Sequence, residues 1–451
     1  MAMAMISLLV LLFSFSLSSA EISGEAGVNY GQLGNNLPAP KISVSLIKSV
    51  KAKRVKIYDA NPEILEALEN TGIQVSIMLP NQLVYNVSTN QTFSDQWVRS
   101  NVAPFYPKTL IRFLLVGNEL ISSTGNETWP HIVPAMHRIK HSLTHFRLHK
   151  VKVGTSSAMD VLASSFPPSN GTFRNDIAFH VMKPMLQFLH KTRSFFFLDV
   201  YPFFAWSSDP THINLSYALF ESKNITVTDP FTGLNYTNLF DQMVDAVYFA
   251  MKRVGYPHVR IFIAETGWPN GGDLDQFGAN VHNAATYNRN VVNKLARKPV
   301  LGTPARPGLA LPSFIFSLFN ENMKTGFGTE RHFGLFYPNG SRVYDIDLSG
   351  ETPESELAPV PAPVDYKGPA WCVVADGANA TAVAAALSYA CSQGNGTCDP
   401  IQPGKACFEP DSVAGHASYA FSAYWAQFRR VGGTCYFNGL ATQTAKDPRY
   451  Y

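Results

Sequence analysis

Eight short apolar runs recur along the chain up to residue 322, with helical segments between them, and this alternation constrains the fold most strongly. The runs cover residues 28–31, 54–59, 74–80, 111–119, 151–157, 196–203, 260–267 and 313–322. Most are continuously apolar, which is typical of parallel strands buried on both faces. Strands that alternate with helices over about 320 residues predict the α/β class and a (β/α)8 TIM barrel.

The segments between the runs carry the periodicity of amphipathic helices. One apolar stripe consists of Ile132, Met136, Ile139, Leu143 and Phe146, at the spacing of a helix face that packs on a core. A doubly wound open sheet is the alternative fold. It rarely shows eight such regular units, and no Gly-rich phosphate loop follows the first run.

The cysteines divide the chain into a large and a small part. All five follow residue 370: Cys372, Cys391, Cys398, Cys407 and Cys435. A large domain buries enough apolar surface to fold without disulfides, whereas a small one often does not. A Pro-rich segment, typical of a semi-rigid spacer, precedes them. We therefore predict a barrel at 25–348, a linker at 349–370 and a small, disulfide-bonded, mainly helical module at 371–451.

The N-terminus predicts a secreted protein. Residues 1–20 contain no charge, and an apolar run at 6–17 precedes Ser18-Ser19-Ala20. This pattern is typical of a cleaved signal peptide, and the run is short for the alternative, a membrane anchor. No other long apolar stretch follows, and the C-terminus lacks the hydrophobic tail of a GPI signal. We expect an extracellular or cell-wall location.

Composition and sequons agree with this expectation. The formal net charge is +3 without any Lys/Arg-rich run, which argues against a nucleic-acid partner. Ten Asn-X-Ser/Thr sequons predict surface glycosylation sites. They lie at Asn86, Asn90, Asn126, Asn170, Asn214, Asn224, Asn235, Asn339, Asn379 and Asn395.

Polar residues end several of the predicted strands, where TIM barrels carry their active sites. Glu119 ends the fourth run and Glu265 the seventh. Hydrolysis of a glycosidic bond needs two carboxyls, one protonated and one ionised, and a separation near ~5 Å predicts retention of configuration. A lone glutamate could simply cap a helix or pair with a lysine. The pair, with Asn118 beside Glu119, favours glycoside hydrolysis.

Six segments in order resemble the plant members of glycoside hydrolase family 17. They are GVNYG at 27–31, VGNE at 116–119, VYPFF at 200–204, AETGWP at 264–269, LFNEN at 318–322 and RHFGLF at 331–336. The resemblance, which runs from about residue 27 to 347, implies a retaining endo-β-1,3-glucanase. By motif, Glu119 is the expected general acid/base and Glu265 the nucleophile. Asn118 is expected to bind the sugar 2-hydroxyl.

The same resemblance implies supporting and binding residues. Glu321 and Lys324 match residues that support the catalytic pair, although a structural ion pair at the rim is the alternative. A nearby lysine would keep a carboxylate ionised. Aromatic rings can pack on the C–H faces of sugars, and some can equally belong to the core. The expected groove residues are Tyr58, Tyr201, Phe204 and Trp268.

The C-terminal segments at 371–373, 389–391, 401–404 and 417–421 resemble the X8 domain, carbohydrate-binding module family 43, which implies binding of β-1,3-glucan. Family pairing implies disulfides Cys372–Cys435 and Cys391–Cys398. The family's sixth cysteine is missing, so Cys407 is expected to be unpaired. The helical stripe of Ala417, Phe421, Tyr424 and Phe428 predicts the module core. Candidates for sugar contact are Tyr419, Trp425 and Tyr436.

Other interpretations stay open. A non-catalytic glucan-binding wall protein would use the rim and module only to hold polysaccharide. An enzyme for mixed-linkage β-1,3-1,4-glucan would share the fold, although the module favours β-1,3 linkage. His137, His141, His145 and His149 recur every four residues, which we interpret as a basic face of an exterior helix. We expect a monomer without metal or cofactor, with β-1,3-glucan as its partner.

Overall fold

The computed structural model describes residues 24–363, 366, 368–394 and 396–448. The expected signal peptide at 1–20 and the sequon at Asn395 lie outside the described residues. Among the other sequon asparagines, Asn170 is half-buried and the rest are exposed. Within the described ranges, none of the helices combines the length and the apolar character needed to cross a membrane.

Eight parallel strands form a nearly closed barrel, in agreement with the predicted fold. They are β1 (Ala26–Tyr30), β2 (Arg54–Ile57), β3 (Gln74–Leu79), β4 (Leu110–Val116), β5 (Lys152–Gly154 and Ser156–Ser157), β6 (Phe195–Asp199), β7 (Arg260–Thr266) and β8 (Ser313–Ile315). Strand β5 is interrupted at Thr155. Its first piece pairs with β4 and its second with β6, while β8 pairs with both β1 and β7. The pairing therefore returns almost to its start, and the two pieces of β5 meet at Thr155.

Most strands end earlier than the sequence predicts, and the difference is largest for β6 and β8. Strand β6 ends at Asp199 because Pro202 begins the helix Pro202–Ser208, and proline is favoured at the first turn of a helix. Strand β8 ends at Ile315. Beyond it the backbone still follows the neighbouring strand, since the Leu318 amide donates to the Asn29 carbonyl at 2.8 Å. The residues after each strand are thus free to shape the rim.

Helices surround the barrel. They are Pro40–Ser49, Pro62–Ala67, Val84–Thr89, Gln91–Asn101, Leu120–Ser123, Trp129–His145, Asn175–Ile177, Lys183–Lys191, Pro202–Ser208, Leu215–Ala218, Leu239–Arg253 and Val281–Ala296, with a π-helical turn at Ala178–Met182. Four of the five predicted stripe residues, Ile132, Met136, Ile139 and Leu143, are buried on Trp129–His145. Phe146 follows the end of the helix and is half-buried. Of the four histidines in the predicted basic face, 137, 141 and 145 lie on this helix and His149 follows it.

The barrel interior is a packed aromatic core. Phe113, Phe197 and Phe262 form a cluster with ring centroids 5.2–5.5 Å apart, and Phe314 stacks on Phe262 at 5.2 Å. Met78, Leu115, Phe195 and Ala264 complete this cluster. Such pairs add favourable contacts beyond their buried area. The cluster fills the barrel interior beneath the carboxyl ends of the strands.

The C-terminal module is small and cross-linked. Strands Trp371–Val374 and Ala441–Thr444 pair antiparallel, and helices Ala380–Gln393 and Val413–Phe428 pack on each other. Both expected disulfides, Cys372–Cys435 and Cys391–Cys398, are present. Cys407 is half-buried and forms no disulfide with any described cysteine. The pairing implied by the family resemblance is therefore confirmed.

The module core corrects one sequence interpretation. Ala417 and Phe421 are buried as expected, and Phe437 stacks on Phe421 at 4.0 Å. Trp425 is also buried, with 4% of its surface exposed. It lies one helical turn after Phe421 on the core side. Trp425 therefore packs the module core and is not available for sugar contact.

The module lies against the barrel rim. Gln443 accepts a hydrogen bond from the Leu274 amide at 2.6 Å and donates to Asp275 at 3.1 Å. The Arg331 guanidinium lies 4.3 Å from the centroid of the Tyr436 ring. All three barrel residues belong to loops at the carboxyl ends of β7 and β8. The module is thus placed on the same face as the cleft.

Candidate active site

A cleft of about 1260 Å³ crosses the carboxyl ends of the strands. Its floor carries the carboxyls of Glu119, Asp199 and Glu265, and its walls include Tyr58 and Phe204. Because these side chains lie at or just after the carboxyl ends of β2, β4, β6 and β7, the barrel brings them together from distant parts of the sequence. The two glutamates selected from the sequence share one cleft, as expected for barrel chemistry.

Glu265 is held by three donors. Its Oε1 accepts from Lys56 Nζ at 2.7 Å and from the Tyr58 hydroxyl at 2.6 Å. Its Oε2 accepts from the Tyr201 hydroxyl at 2.6 Å. Burial raises the pKa of Glu265, but the Lys56 charge and the hydrogen bonds outweigh it, so the pKa lies below its ordinary value. Glu265 is thus an ionised carboxylate with fixed orientation.

Glu119 is placed by a turn with an unusual backbone. Gly117 has φ 73° and Glu119 has φ 47°, and the left-handed region is disfavoured for residues other than glycine. Asn81 holds this turn: it accepts from the Asn118 amide at 2.7 Å and donates to the Asn118 carbonyl at 2.9 Å. A strained residue in a cleft is typical of functional sites. The turn directs the Glu119 carboxyl over the barrel mouth.

The two glutamates differ in protonation. Burial, and then the negative charge of Glu265, raise the pKa of Glu119 to about 7. Near pH 5, Glu119 therefore carries a proton while Glu265 is ionised. A pair of carboxyls whose surroundings move their pKa values apart is suited to acid and nucleophile roles. The arrangement can protonate a leaving oxygen and attack the anomeric carbon of one sugar.

Asn118 lines the same cleft as the two glutamates. Its Oδ1 accepts from Ser156 Oγ at 2.9 Å and lies 3.4 Å from Lys56 Nζ. These contacts fix the amide orientation, with Oδ1 turned towards the protein. The Nδ2 donors are consequently left for a ligand oxygen. The expected role of Asn118 towards a sugar hydroxyl stays a prediction.

Glu321 and Lys324 form a second carboxylate–ammonium contact at the cleft edge. Glu321 Oε1 accepts from the Leu33 amide at 2.8 Å, and Oε2 lies 3.8 Å from Lys324 Nζ. The Lys324 ammonium also lies 4.1 Å from the centroid of the Phe316 ring. A Cβ at Gly31 would overlap the Glu321 carboxylate, so only glycine leaves it room. Lys56, rather than Lys324, is the cation that contacts the nucleophile candidate.

The predicted aromatic groove residues divide into two groups. Tyr58 and Tyr201 line the cleft, and their hydroxyls are engaged with Glu265. Burial, and then the charge of Glu265, raise the pKa of both tyrosines well above the ordinary value, so they remain donors. Phe204 also lines the cleft and is 40% exposed. Its sugar contact remains a prediction.

Trp268 does not line the cleft, which corrects the sequence expectation. Its ring is fully buried, and Nε1 donates to the Gly278 carbonyl at 2.8 Å. It packs against Phe203, Trp206 and Tyr287 with centroids 5.2–5.6 Å apart. Trp268 follows β7 closely, but its side chain turns outward, under the helix that begins at Pro202. It is a core residue behind the site.

We expect Trp268→Ala to lower the free energy of unfolding by about 3–5 kcal/mol, because it leaves a large cavity. Urea unfolding followed by circular dichroism measures this loss. Trp268→Phe keeps most of the packing, and its KM for laminari-oligosaccharides should stay within about twofold of wild type. A tenfold higher KM in Trp268→Phe with unchanged stability would show that the indole contacts sugar after all.

Lys56 and Asp199 are site residues that the sequence interpretation missed. Lys56 is fully buried. The sequence did contain a sign of it: a lysine interrupts an apolar strand two residues before Tyr58. Because alternate residues of a strand share one face, Lys56 could have been placed on the same face as Tyr58. Asp199 ends β6 and is 1% exposed. It directly precedes the VYPFF segment at 200–204, and the sequence analysis considered only that segment.

Two family models match the chain. The model described as glycosyl hydrolases family 17 matches residues 26–348, and the X8 domain model matches residues 370–442. A probable glucan endo-1,3-beta-glucosidase A6 of Arabidopsis thaliana is 52% identical over 95% of this chain and 90% of the relative. A glucan endo-1,3-beta-D-glucosidase of Olea europaea is 38% identical over 98% and 95%.

Solved structures agree with the sequence relatives. CJP38, a beta-1,3-glucanase and allergen of Cryptomeria japonica pollen, superposes with a TM-score of 0.68 at 40% identity, covering 72% of this chain and 99% of that one. A structure from a study of two plant beta-glucan endohydrolases gives 0.65 at 37% identity, covering 71% and 99%. With the shared barrel and the matched motifs, these findings show that the chain belongs to family 17 of the glycosyl hydrolases.

Proposed function

We propose that this glycosyl hydrolase cleaves internal β-1,3-glucosidic bonds of β-1,3-glucan with retention of configuration. The relatives and the solved neighbour named above carry β-1,3-glucanase names. The observation that carries the proposal is the pair Glu119 and Glu265 in one cleft, with pKa values moved in opposite directions. Acid and nucleophile are thereby prepared before substrate arrives.

The reaction has two displacements. Glu119 donates its proton to the glycosidic oxygen, while Glu265 attacks the anomeric carbon and forms a glycosyl ester. Glu119, now a carboxylate, removes a proton from water, and the hydroxide displaces Glu265. Lys56, Tyr58 and Tyr201 hold Glu265 in position for attack and stabilise its charge when it leaves.

The test is hydrolysis of laminarin by the secreted protein, measured as reducing ends and followed by product NMR. We expect oligosaccharide release with the β-anomer formed first. Barley mixed-linkage glucan in parallel distinguishes the two linkage preferences, and β-1,3-glucan should be cleaved faster. Glucan binding without any hydrolysis would instead establish the non-catalytic wall protein. First formation of the α-anomer would contradict the retaining mechanism.

We expect a bell-shaped pH dependence of kcat/KM. The value should fall as pH rises through about 7, because Glu119 loses the proton that it must donate. It should also fall in strong acid, where Glu265 becomes protonated below its already lowered pKa. Initial rates between pH 3 and 9 at low laminarin concentration measure both limbs. A basic limb that lies near pH 4 would contradict the raised pKa of Glu119.

We further propose that the protein is a secreted cell-wall monomer whose X8 module binds β-1,3-glucan. Two disulfides in the module support an oxidising compartment, as do the exposed sequons. The module lies on the cleft face through Gln443 and Tyr436. Two binding sites in one chain raise the local concentration of polymer at the cleft. The linker and module therefore serve the same substrate as the barrel.

A further inference from the structure

A third carboxyl, Asp199, lies in the cleft beside the two glutamates. It ends β6, and its Cα is in register with that of Glu265 on β7. Its side chain is 1% exposed and forms part of the cleft wall. Barrel geometry thus places three carboxyls around one reacting centre, whereas the two-step reaction assigns roles to only two of them.

Among the described residues, no donor meets the distance and angle of a regular hydrogen bond to either carboxyl oxygen of Asp199. The side chains of Ser156 and Glu119 nevertheless lie close enough to interact with it. The nearby donors are already engaged: Lys56 Nζ and the Tyr201 hydroxyl bond Glu265, and Ser156 Oγ bonds Asn118. A buried carboxylate without a donor is strongly disfavoured, and the acid accepts a proton instead. Asp199 is therefore expected to be neutral when Glu265 is ionised.

The electrostatics agree with this geometry. Burial, followed by the negative charge of Glu265, raises the pKa of Asp199 well above its ordinary value, and Lys56 offsets this only in part. Asp199 and Glu119 also interact side chain to side chain, and this contact lowers the pKa of Glu119 against the larger effects of burial and Glu265. A neutral donor that hydrogen bonds a carboxylate lowers the pKa of that carboxyl in the same direction.

We propose that Asp199 is a protonated positioning residue whose hydroxyl hydrogen bonds the ionised form of Glu119. The inference rests on the proposed retaining mechanism, in which Glu119 is ionised after it has protonated the leaving oxygen. Asp199 keeps its own proton throughout, and no bond to Asp199 forms or breaks. Its hydrogen bond stabilises the Glu119 carboxylate in the glycosyl-enzyme and holds it towards the attacking water.

Two variants separate this role from a structural one. Asp199→Asn keeps a neutral planar group with an N–H donor, so the basic limb of kcat/KM should stay within about half a pH unit of wild type. Asp199→Leu removes the donor, so the limb should move to higher pH. In Asp199→Leu, hydrolysis of an activated aryl laminaribioside should slow by roughly ten- to a hundredfold, because breakdown of the glycosyl-enzyme limits the rate with this substrate.

The direction in which the basic limb of kcat/KM moves in Asp199→Asn distinguishes a neutral Asp199 from an ionised one. An ionised Asp199 would raise the pKa of Glu119, so Asp199→Asn would then move the basic limb to lower pH by about one unit or more. That result, or unchanged profiles and rates in both variants, overturns the proposal. Asp345→Asn is the matched control, because it makes the same exchange of carboxyl for amide at a surface residue that pairs with Arg342 at 3.0 Å.

A measurement without catalysis separates this inference from the proposed function. The infrared difference spectrum of wild type minus Asp199→Asn at pH 6 should contain the carbonyl band of a protonated acid. A carboxylate band in its place contradicts the inference, even if laminarin is hydrolysed. Failure of wild type to hydrolyse any glucan would reject the proposed function and leave the spectrum to decide the protonation of Asp199.

Discussion

Replacement of Glu265 by alanine is expected to lower kcat on laminarin by about 10⁴-fold or more, since it removes the attacking group and not only a binding contact. The side chain is buried and held by three donors. Its loss leaves a small cavity beneath the anomeric carbon. An external anion of suitable size should fit there and replace the missing nucleophile.

Azide rescue identifies the role. With an activated aryl laminaribioside, Glu265→Ala plus azide should give the α-glycosyl azide, because attack then comes from the Glu265 side. The matched variant Glu119→Ala should give the β-glycosyl azide, since its glycosyl-enzyme still forms and azide replaces water. NMR of the product measures the anomer. If the two variants gave the same anomer, or if Glu265→Ala kept activity within tenfold of wild type, the assignment would be wrong.

Replacement of Lys56 by methionine is the second change with a large expected effect. Lys56 is fully buried and supplies the only cation within 4 Å of Glu265 among the described residues. Removing one partner of a buried ion pair costs about 3–5 kcal/mol, because the other charge stays unpaired. We expect Glu265 to bind a proton more readily, and kcat/KM near pH 5 to fall by about 10²-fold or more.

The pH profile distinguishes this effect from misfolding. The acid limb of Lys56→Met should move to higher pH, and activity should partly return as pH rises towards 7. Lys51→Met is the control, because the half-exposed Lys51 pairs with Asp347 at 2.7 Å outside the cleft, and the Ser349 and Thr352 hydroxyls still donate to that carboxylate in the variant. Melting curves check the fold of both variants. An unchanged acid limb in Lys56→Met would show that the tyrosines alone keep Glu265 ionised.

The fold was predictable because its determinants are local and repeated. Eight apolar runs and their helical spacers specify a barrel, and the disulfide pairing followed from family resemblance. The strand ends were less predictable. Asp199 ends β6 because Pro202 begins a helix three residues later, whereas the apolar pattern continues to Phe203. Apolar character alone does not separate a strand from the buried first turn of the next helix.

The site was predictable only for residues whose side-chain type and position at a strand end already indicate a catalytic role. Glu119 and Glu265 stand at strand ends, and a pair of carboxyls there already indicates an acid and a nucleophile. Lys56 depends on a contact across the barrel, 209 residues apart in sequence. Trp268 shows the converse: it neighbours Glu265 in sequence, yet it turns to the helix side of β7. Sequence proximity to a catalytic residue does not decide which face a side chain takes.

Three sequon asparagines also begin helices, and this affects how glycans can be removed by mutation. Asn90, Asn214 and Asn379 accept backbone amides through Oδ1 at 2.9–3.1 Å, whereas an N-linked sugar is attached at Nδ2. A glycan at Nδ2 therefore leaves the N-cap hydrogen bond to Oδ1 in place. Exchange of these asparagines would remove sugar and cap together, at a cost of about 0.5–2 kcal/mol each. Substitution of Thr92 or Thr381 by alanine abolishes the acceptor motif and keeps the helix start intact.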